Sequence, residues 1–393
     1  MTIADQTIRS YGATEAQAYV EKAREMAPAV REQSKRIEDD RRLPAELVKQ
    51  FRDAGFFHAL LPRDLGGREA DPVNAARIVE EIARGDASAG WCVMLAAQSC
   101  GFAGYMSKED SLSIWGDGGI VAGTARPIGR AVAVEGGFDV SGRWPFASGS
   151  SHATWFAGEC KIYDGDELRR DAEGNECTKM LFIPASEITV YDTWDTLGLR
   201  GTASNDFSCE HAFVPATRGF QVLVDPPMHD WALYRAEPLA FINHGSHAIG
   251  VARAAIDTAV ETAATKVGWG GVMIKDTPRL QSAVAEASGM VGAAANYLYE
   301  ASWALWEEAL KGDTDKLTRA RVRLATSNAM RASVQAVDML HATLATSAIM
   351  ASSPLSRQLR DIHTASAHVM IGAMTFEAAG RALMGMDPQV PFF

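Results

Sequence analysis

The chain has no uninterrupted apolar run long enough to cross a bilayer. Its most apolar segment, 89–106, is broken by Gln98, Ser99 and Gly101 and reads as a buried core helix. No two of its five cysteines (Cys92, Cys100, Cys160, Cys177, Cys209) stand in CxxC spacing, and an odd number cannot all pair. Neither a metal knuckle nor a disulfide frame is expected, and the thiols read as reduced, in a cytoplasmic protein. Basic charge is in deficit, with 38 Lys and Arg against 49 Asp and Glu and a net charge of −11. That balance repels nucleic acid and anionic membrane as partners. The first residues, Met-Thr-Ile-Ala-Asp-Gln, lack a basic region followed by an apolar core, so no signal peptide is expected. Neither GxGxxG nor GxxxxGK occurs, so a bound nucleotide would not use a Rossmann or P-loop cradle. Internal repeats and low-complexity tracts are also missing.

Three zones are present instead. Residues 1–118 are helical by pattern: Leu43-Pro44 and Gly55 punctuate one helix, and Asp71-Pro72 caps a second that carries Ala75, Ile78, Val79 and Ile82 on one face. Residues 119–233 change to short β-like runs separated by Gly, Pro and Asp. The strand candidates are 120–122, 131–134, 155–162, 180–183 and 207–209. From 234 to 393 the helical period returns in four stretches, 236–268, 277–311, 314–350 and 354–384, with breaks at 268–271, 312–313 and 352–354. Four such helices predict an antiparallel bundle. Its broad apolar faces predict pairing with further copies of the chain.

The segment 136–155 carries the most chemistry. Gly136 and Gly137 suit a tight turn, Phe138 and Val140 alternate as a half-buried strand, and Phe146-Ala-Ser-Gly-Ser-Ser-His152 sets an aromatic beside hydroxyls and backbone donors. A planar, polar-edged ring suits such a surface; a plain turn, with Ser148 bonding its own backbone, is the structural alternative.

Ser141-Gly142, Phe146, Ser148 and Trp155, then 197–205 with Phe213-Val-Pro215, then 249–256, resemble three successive signatures of the acyl-CoA dehydrogenase superfamily, in order and spacing. The resemblance implies a mostly α fold with a central β-domain: an N-terminal helical domain, a middle β-barrel or sandwich and a C-terminal four-helix bundle. It also implies a homotetramer with flavin sites touching neighbouring subunits. Phe146, Ser148, Ser150, Arg200 and Ser204 would face the flavin; Lys266 and Trp269 match the stretch that reaches it from an adjacent subunit. On the residues alone, Arg200 and Ser204 could as well hold their loop, and Lys266 is a helix-end cation.

Superfamily dehydrogenases carry a catalytic glutamate after an Arg-Asp pair. Here Arg360-Asp361 is followed by Val369 at that position, with His368 beside it and His363 five residues earlier. Arg-Asp-x-His-x4-His resembles the two-component (class D) flavin-dependent monooxygenase branch, the group of p-hydroxyphenylacetate hydroxylase oxygenase and secosteroid phenol hydroxylase. That branch implies an oxygenase component using reduced FMN or FAD, diffusing from a separate flavin reductase, with O2 as co-substrate. A C4a-hydroperoxyflavin then hydroxylates a phenolic or other aromatic substrate. His368 would be the base that assists a phenol whose ordinary value is near ~10, and Ser148 would restrain the flavin at N5. Trp91, His152, Trp194 and His363 are the expected pocket residues, with Phe102 and Tyr105 as further candidates, each equally a core residue by type. His244 and His247 lack a third ligand at metal spacing, so no metal is expected. The alternatives are a dehydrogenase whose glutamate has moved, to Glu237 or Glu377, a related N- or S-oxygenase, and a helical oligomer without cofactor.

Overall fold

The computed structural model describes residues 11–222, 224–390 and 393, apart from the side chain of Trp269. Six helices come first: α1 (Thr14–Glu32), α2 (Ser34–Asp40), α3 (Ala45–Ala54), α4 (Pro72–Gly85), α5 (Ala87–Ser99) and α6 (Lys108–Trp115). The Asp71 carboxylate accepts from the Asn74 amide and Pro72 sits in the first turn, so α4 starts where the sequence predicts. The predicted helix over 89–106 ends earlier, at Ser99, and a 3-10 stretch from Cys100 to Tyr105 continues it. α5 is buried almost throughout and packs against α4 and the first helix of the C-terminal zone.

Eight strands follow: β1 (Val121–Val134), β2 (Gly137–Ala147), β3 (Trp155–Asp164), β4 (Glu167–Leu168), β5 (Thr178–Pro184), β6 (Thr189–Tyr191), β7 (Asn205–Pro215) and β8 (Gly219–Phe220). They form one sheet in the order β6-β7-β2-β1-β3-β5-β8, with β4 paired to β3. β1 and β3 run parallel and the other pairs antiparallel. Gly136 turns the β1–β2 hairpin at φ 77°, and Ala131 pairs with Val140. The separate candidates 120–122 and 131–134 are the two ends of β1. Its middle, 125–128, is exposed and the register with β3 shifts between Thr124 and Gly129, which breaks the alternation that marks a strand.

The C-terminal zone holds α7 (Ile242–Thr265), α8 (Pro278–Lys311), α9 (Lys316–Leu344), α10 (Pro354–Ser366) and α11 (Ala373–Leu383). The fourth expected helix, 354–384, is therefore two. Residues 367–372 interrupt it with a single 3-10 turn, Val369–Ile371, capped by the His368 ring accepting from the Met370 amide at 3.4 Å. Likewise 236–241 precedes α7 as irregular 3-10 backbone rather than helix. α10 packs on α7, α9 and α5, and α11 on α9, so the pair fills the fourth place of the bundle. One continuous core joins the helices of both zones, while the sheet keeps a smaller core around Trp144 and Phe207. Among the described residues no helix is long and apolar enough to cross a membrane.

Candidate active site

Trp91, on the buried α5, is the hub of a recess where the helices meet the sheet. Its ring meets three histidines edge-on: His247 at 5.2 Å between centroids, His244 at 5.6 Å and His368 at 5.7 Å. The rings of His244 and His368 lie 4.5 Å apart. His244 and His247 share one face of α7 because they are three residues apart, and the break between α10 and α11 delivers His368 opposite them.

On its other side the Trp91 indole N–H donates to Ser148 Oγ at 3.3 Å. Ser148 Oγ lies 2.6 Å from Ser204 Oγ, which lies 2.7 Å from Thr202 Oγ1, and that hydroxyl donates to the Leu199 carbonyl at 2.9 Å. Each hydroxyl carries one hydrogen, so the last bond sets the direction of the row. Thr202 spends its hydrogen on Leu199, Ser204 on Thr202, and Ser148 on Ser204. Ser148 Oγ is left with an acceptor lone pair and no free hydrogen.

The hydroxyls are held by strained backbone. Phe146, Leu199 and Ala203 all have left-handed conformations, at φ 69°, 51° and 45°. Such positions are costly for non-glycine residues, and most so for a bulky one, and they cluster at functional sites. Asp361 accepts from the Leu199 amide at 2.7 Å and Arg360 donates to the Leu197 carbonyl at 2.7 Å, which ties the loop to α10. Burial, reinforced by the nearby Asp86 carboxylate, pushes Asp361 up to about 7.

Burial pushes His368 and His247 down to about 4. His244 falls well below its ordinary value, first through burial and then through the charge of His368. His247 donates from Nε2 to the Ala87 carbonyl at 2.8 Å, and His244 from Nδ1 to the Phe241 carbonyl at 3.2 Å. All three rings are neutral at neutral pH. The His368 Nδ1 accepts from the Met370 amide, so the neutral ring carries its hydrogen on Nε2, which is left to donate to a ligand. The recess thus offers neutral imidazoles, an indole face and an acceptor hydroxyl, with no carboxylate among them.

A family model described as the acyl-CoA dehydrogenase N-terminal domain matches residues 13–108, and one described as the C-terminal domain matches residues 242–372. The chain belongs to the acyl-CoA dehydrogenase family. Among curated proteins it is 28% identical over 367 residues to an indole-3-acetate monooxygenase of Pseudomonas putida, covering 91% of this chain and 92% of that one. It is 25% identical over 393 residues to an FADH(2)-dependent resorcinol hydroxylase, oxygenase component, of a Rhizobium strain, covering 93% of each. Among solved structures, a 3-HSA hydroxylase from Rhodococcus sp. RHA1 superposes with a TM-score of 0.86 at 25% identity, covering 97% of this chain and 100% of that one.

In this acyl-CoA dehydrogenase family member, Trp91, Ser148, Ser204 and His368 come together as one constellation. Ser150 stands behind them, donating to the Ala203 carbonyl at 2.6 Å. Phe146 is 53% exposed, with the half-buried Trp194 edge-on at 6.3 Å, so the two form an open aromatic corner above the hydroxyls. Arg200 pairs with Asp195 at 2.9 Å and with the Thr196 carbonyl, which makes it a loop clasp. His152 turns away to stack on Phe57 at 5.8 Å, where burial lowers it to about 4. His363 is exposed and bonds Asp338 at 2.8 Å, outside the recess. Tyr105 stacks on Phe220 at 4.5 Å and Phe102 meets Phe182 and Phe220, so both belong to the core. Glu237 pairs with Arg319, and Glu377 is exposed; neither is part of the histidine cluster. Lys266 follows α7, about 33 Å along the helix from His244 at 1.5 Å per residue. Trp269 opens a 3-10 turn there, its side chain outside the described residues. Lys266 does not reach the recess of its own chain. Sequence reasoning weighed His244 and His247 only as metal ligands and passed over Thr202; the i, i+3 spacing on an apolar helix was the available signal.

Proposed function

We propose that the protein is the oxygenase component of a two-component flavin-dependent monooxygenase that hydroxylates a phenolic or other aromatic compound. The observation that carries this is the histidine cluster: where the family's dehydrogenases need a carboxylate base, the recess presents His368 and two further neutral imidazoles around Trp91. The named relatives, an indole-3-acetate monooxygenase and a resorcinol hydroxylase, support the same reading.

The residues present fit a flavin. The corner of Phe146 and Trp194 offers an apolar wall, and Ser148 offers an acceptor to a ring N–H such as the one a reduced flavin carries at N5. The flavin, FMN or FAD, supplies the activation of O2 when bound in reduced form, and a separate reductase delivers it. With Nδ1 accepting from the Met370 amide, His368 donates from Nε2 to the phenol oxygen, orienting the ring and stabilising negative charge on that oxygen. Transfer from a phenol of ordinary value near ~10 to a ring near 4 is uphill, so His368 stays neutral and acts as a hydrogen-bond donor to the substrate oxygen. Trp91 and the buried loop exclude water from the reacting face.

The assembly we propose is a homotetramer in which Lys266 and Trp269 complete a neighbour's flavin site, in the cytoplasm. An apolar groove of about 770 Å³ between α7 and α8, lined by Val260, Ala263, Leu280, Gly289 and Gly292, supports pairing between copies. It lies apart from the Trp91 recess. The five unpaired cysteines accord with a reducing compartment.

The test is to mix anaerobic protein and reduced flavin with oxygenated buffer and a panel of phenols, then measure hydroxylated product against released hydrogen peroxide. Product from at least one phenol, dependent on His368, is expected. Reduction of bound flavin by an acyl-CoA, with no product from any phenol, would overturn the reading.

A further inference from the structure

Arg323, on α9, is 4% exposed and has no carboxylate partner among the described residues. Its Nη2 donates to the Met370 carbonyl at 3.0 Å, while Nε and Nη1 are inaccessible and donate to nothing. Arg253, 6% exposed, by contrast stands 2.9 Å from the Glu80 carboxylate, and the half-buried Arg84 meets Asp257 at 2.7 Å. A buried cation left alone is expensive, and such a group persists where something else balances it.

Its place in the recess is specific. The guanidinium stands 5.0 Å over the half-buried ring of Phe241, and Phe241 faces His244 at 6.4 Å. His244 in turn faces His368 and Trp91, and Trp91 faces Ser148. Arg323 therefore closes the recess at the end opposite the hydroxyl row.

We propose that Arg323 is an anion subsite that binds the carboxylate of an aromatic acid substrate. The proposal rests on the oxygenase reading and narrows its substrate class. The unpaired N–H groups at Nε and Nη1 offer a carboxylate a charge-assisted hydrogen bond. The acid takes the place of the Phe241 ring face as the cation's neighbour. Its ring lies along Trp91 and the histidines, and its hydroxyl reaches His368. An uncharged phenol of the same shape would leave the cation unbalanced, so the subsite selects for charge as well as for shape.

The test is calorimetric titration of the protein with 4-hydroxyphenylacetate, 3-hydroxyphenylacetate and 4-hydroxybenzoate, each against its carboxamide. At least one acid is expected to bind about tenfold or more tighter than its amide, the scale of one charge-assisted contact. Arg323→Gln should lose that preference while keeping the affinity for the amide, and Arg323→Lys should keep part of it. Acids that bind no better than their amides, or a preference that survives in Arg323→Gln, would overturn the subsite. If the Gln variant does not fold, the wild-type ratio and the Lys variant decide. Formation of hydroxylated product by wild type from the bound acid, reduced flavin and O2 tests the oxygenase reading separately. Its absence beside an intact acid preference would count against that reading and leave the subsite standing.

Discussion

The indole N–H of Trp91 joins the two halves of the site. It donates to Ser148 on one side, while its ring edge and faces meet three neutral imidazoles on the other. Trp91→Phe keeps a ring against the histidines and removes the donor. We expect a stability loss of about 1 kcal/mol, the net worth of one hydrogen bond, and more hydrogen peroxide released per product formed. An unchanged product-to-peroxide ratio would mean that the hydroxyl row does not govern coupling. In the proposed reaction His368 holds the substrate oxygen. His368→Asn should cut product formation by a factor on the order of 10²–10⁴ while oxygen uptake continues as peroxide. Its depressed value also fixes the sign of the pH dependence. A histidine near its ordinary ~6.5 would be half protonated at that pH, losing the neutral ring that accepts at Nδ1 and donates at Nε2. His368, held down to about 4 by burial, stays neutral well below it. The acid limb of the product yield is therefore expected below pH ~5, and half-loss near ~6.5 would assign the role to another group.

At the scale of elements, the site depends on how closely the 197–205 loop approaches α10. A Cβ on Gly198 would stand 2.1 Å from the Arg360 carbonyl oxygen, and that oxygen belongs to backbone that cannot swing aside. Gly198→Ala should push the loop off α10, break the Asp361–Leu199 bond and displace Ser204. Reduced-flavin affinity should fall about tenfold or more, as expected for loss of one or two preorganised contacts, while far-UV circular dichroism stays unchanged. Undiminished affinity would separate this loop from flavin binding. What could be read in advance at this scale follows from range. The caps at Asp71 and Gly55 and the turn at Gly136 are local chemistry, and the structure has them where the sequence predicts. The split of 354–384 was not legible, because Arg360-Asp361 and His368 keep helical spacing with no proline between them. Its cause is tertiary: His368 caps Met370, and Arg323 from α9 holds the Met370 carbonyl. His368 could be picked from its motif; Arg323 could not, since what distinguishes it is a missing partner, which only packing reveals.

For the whole molecule, two opposed titrations set the pH dependence of stability. His152 and His247 have folded values near 4, below their unfolded ~6.5. Their contribution is present above ~6.5 and is lost as pH falls towards 4, by up to about 3 kcal/mol each. Asp361, raised to about 7, works the other way, stabilising below its unfolded value and losing that contribution as pH rises through 7. The histidines are more numerous, since His244 and His368 are depressed as well. Tm is therefore expected to fall between about pH 6.5 and 4.5, less steeply in His247→Gln. A Tm that rises on acidification would mean that Asp361 dominates.

Assembly follows from distance. Ser148 and His368 lie at one end of α7 and Lys266 at the other, about 33 Å away along the axis. In the proposed assembly a second copy supplies Lys266 to the flavin that lies beside Ser148. Lys266→Ala and Ser148→Ala should each weaken flavin binding alone. Co-expressed in one oligomer, they should restore a fraction of intact sites, because some interfaces then combine a wild-type Ser148 with a wild-type Lys266. Recovery of tight flavin binding in the mixed oligomer, with a sedimenting species larger than a monomer, is the expected result. Additive loss without recovery would place Lys266 outside the flavin site and leave each recess to its own chain.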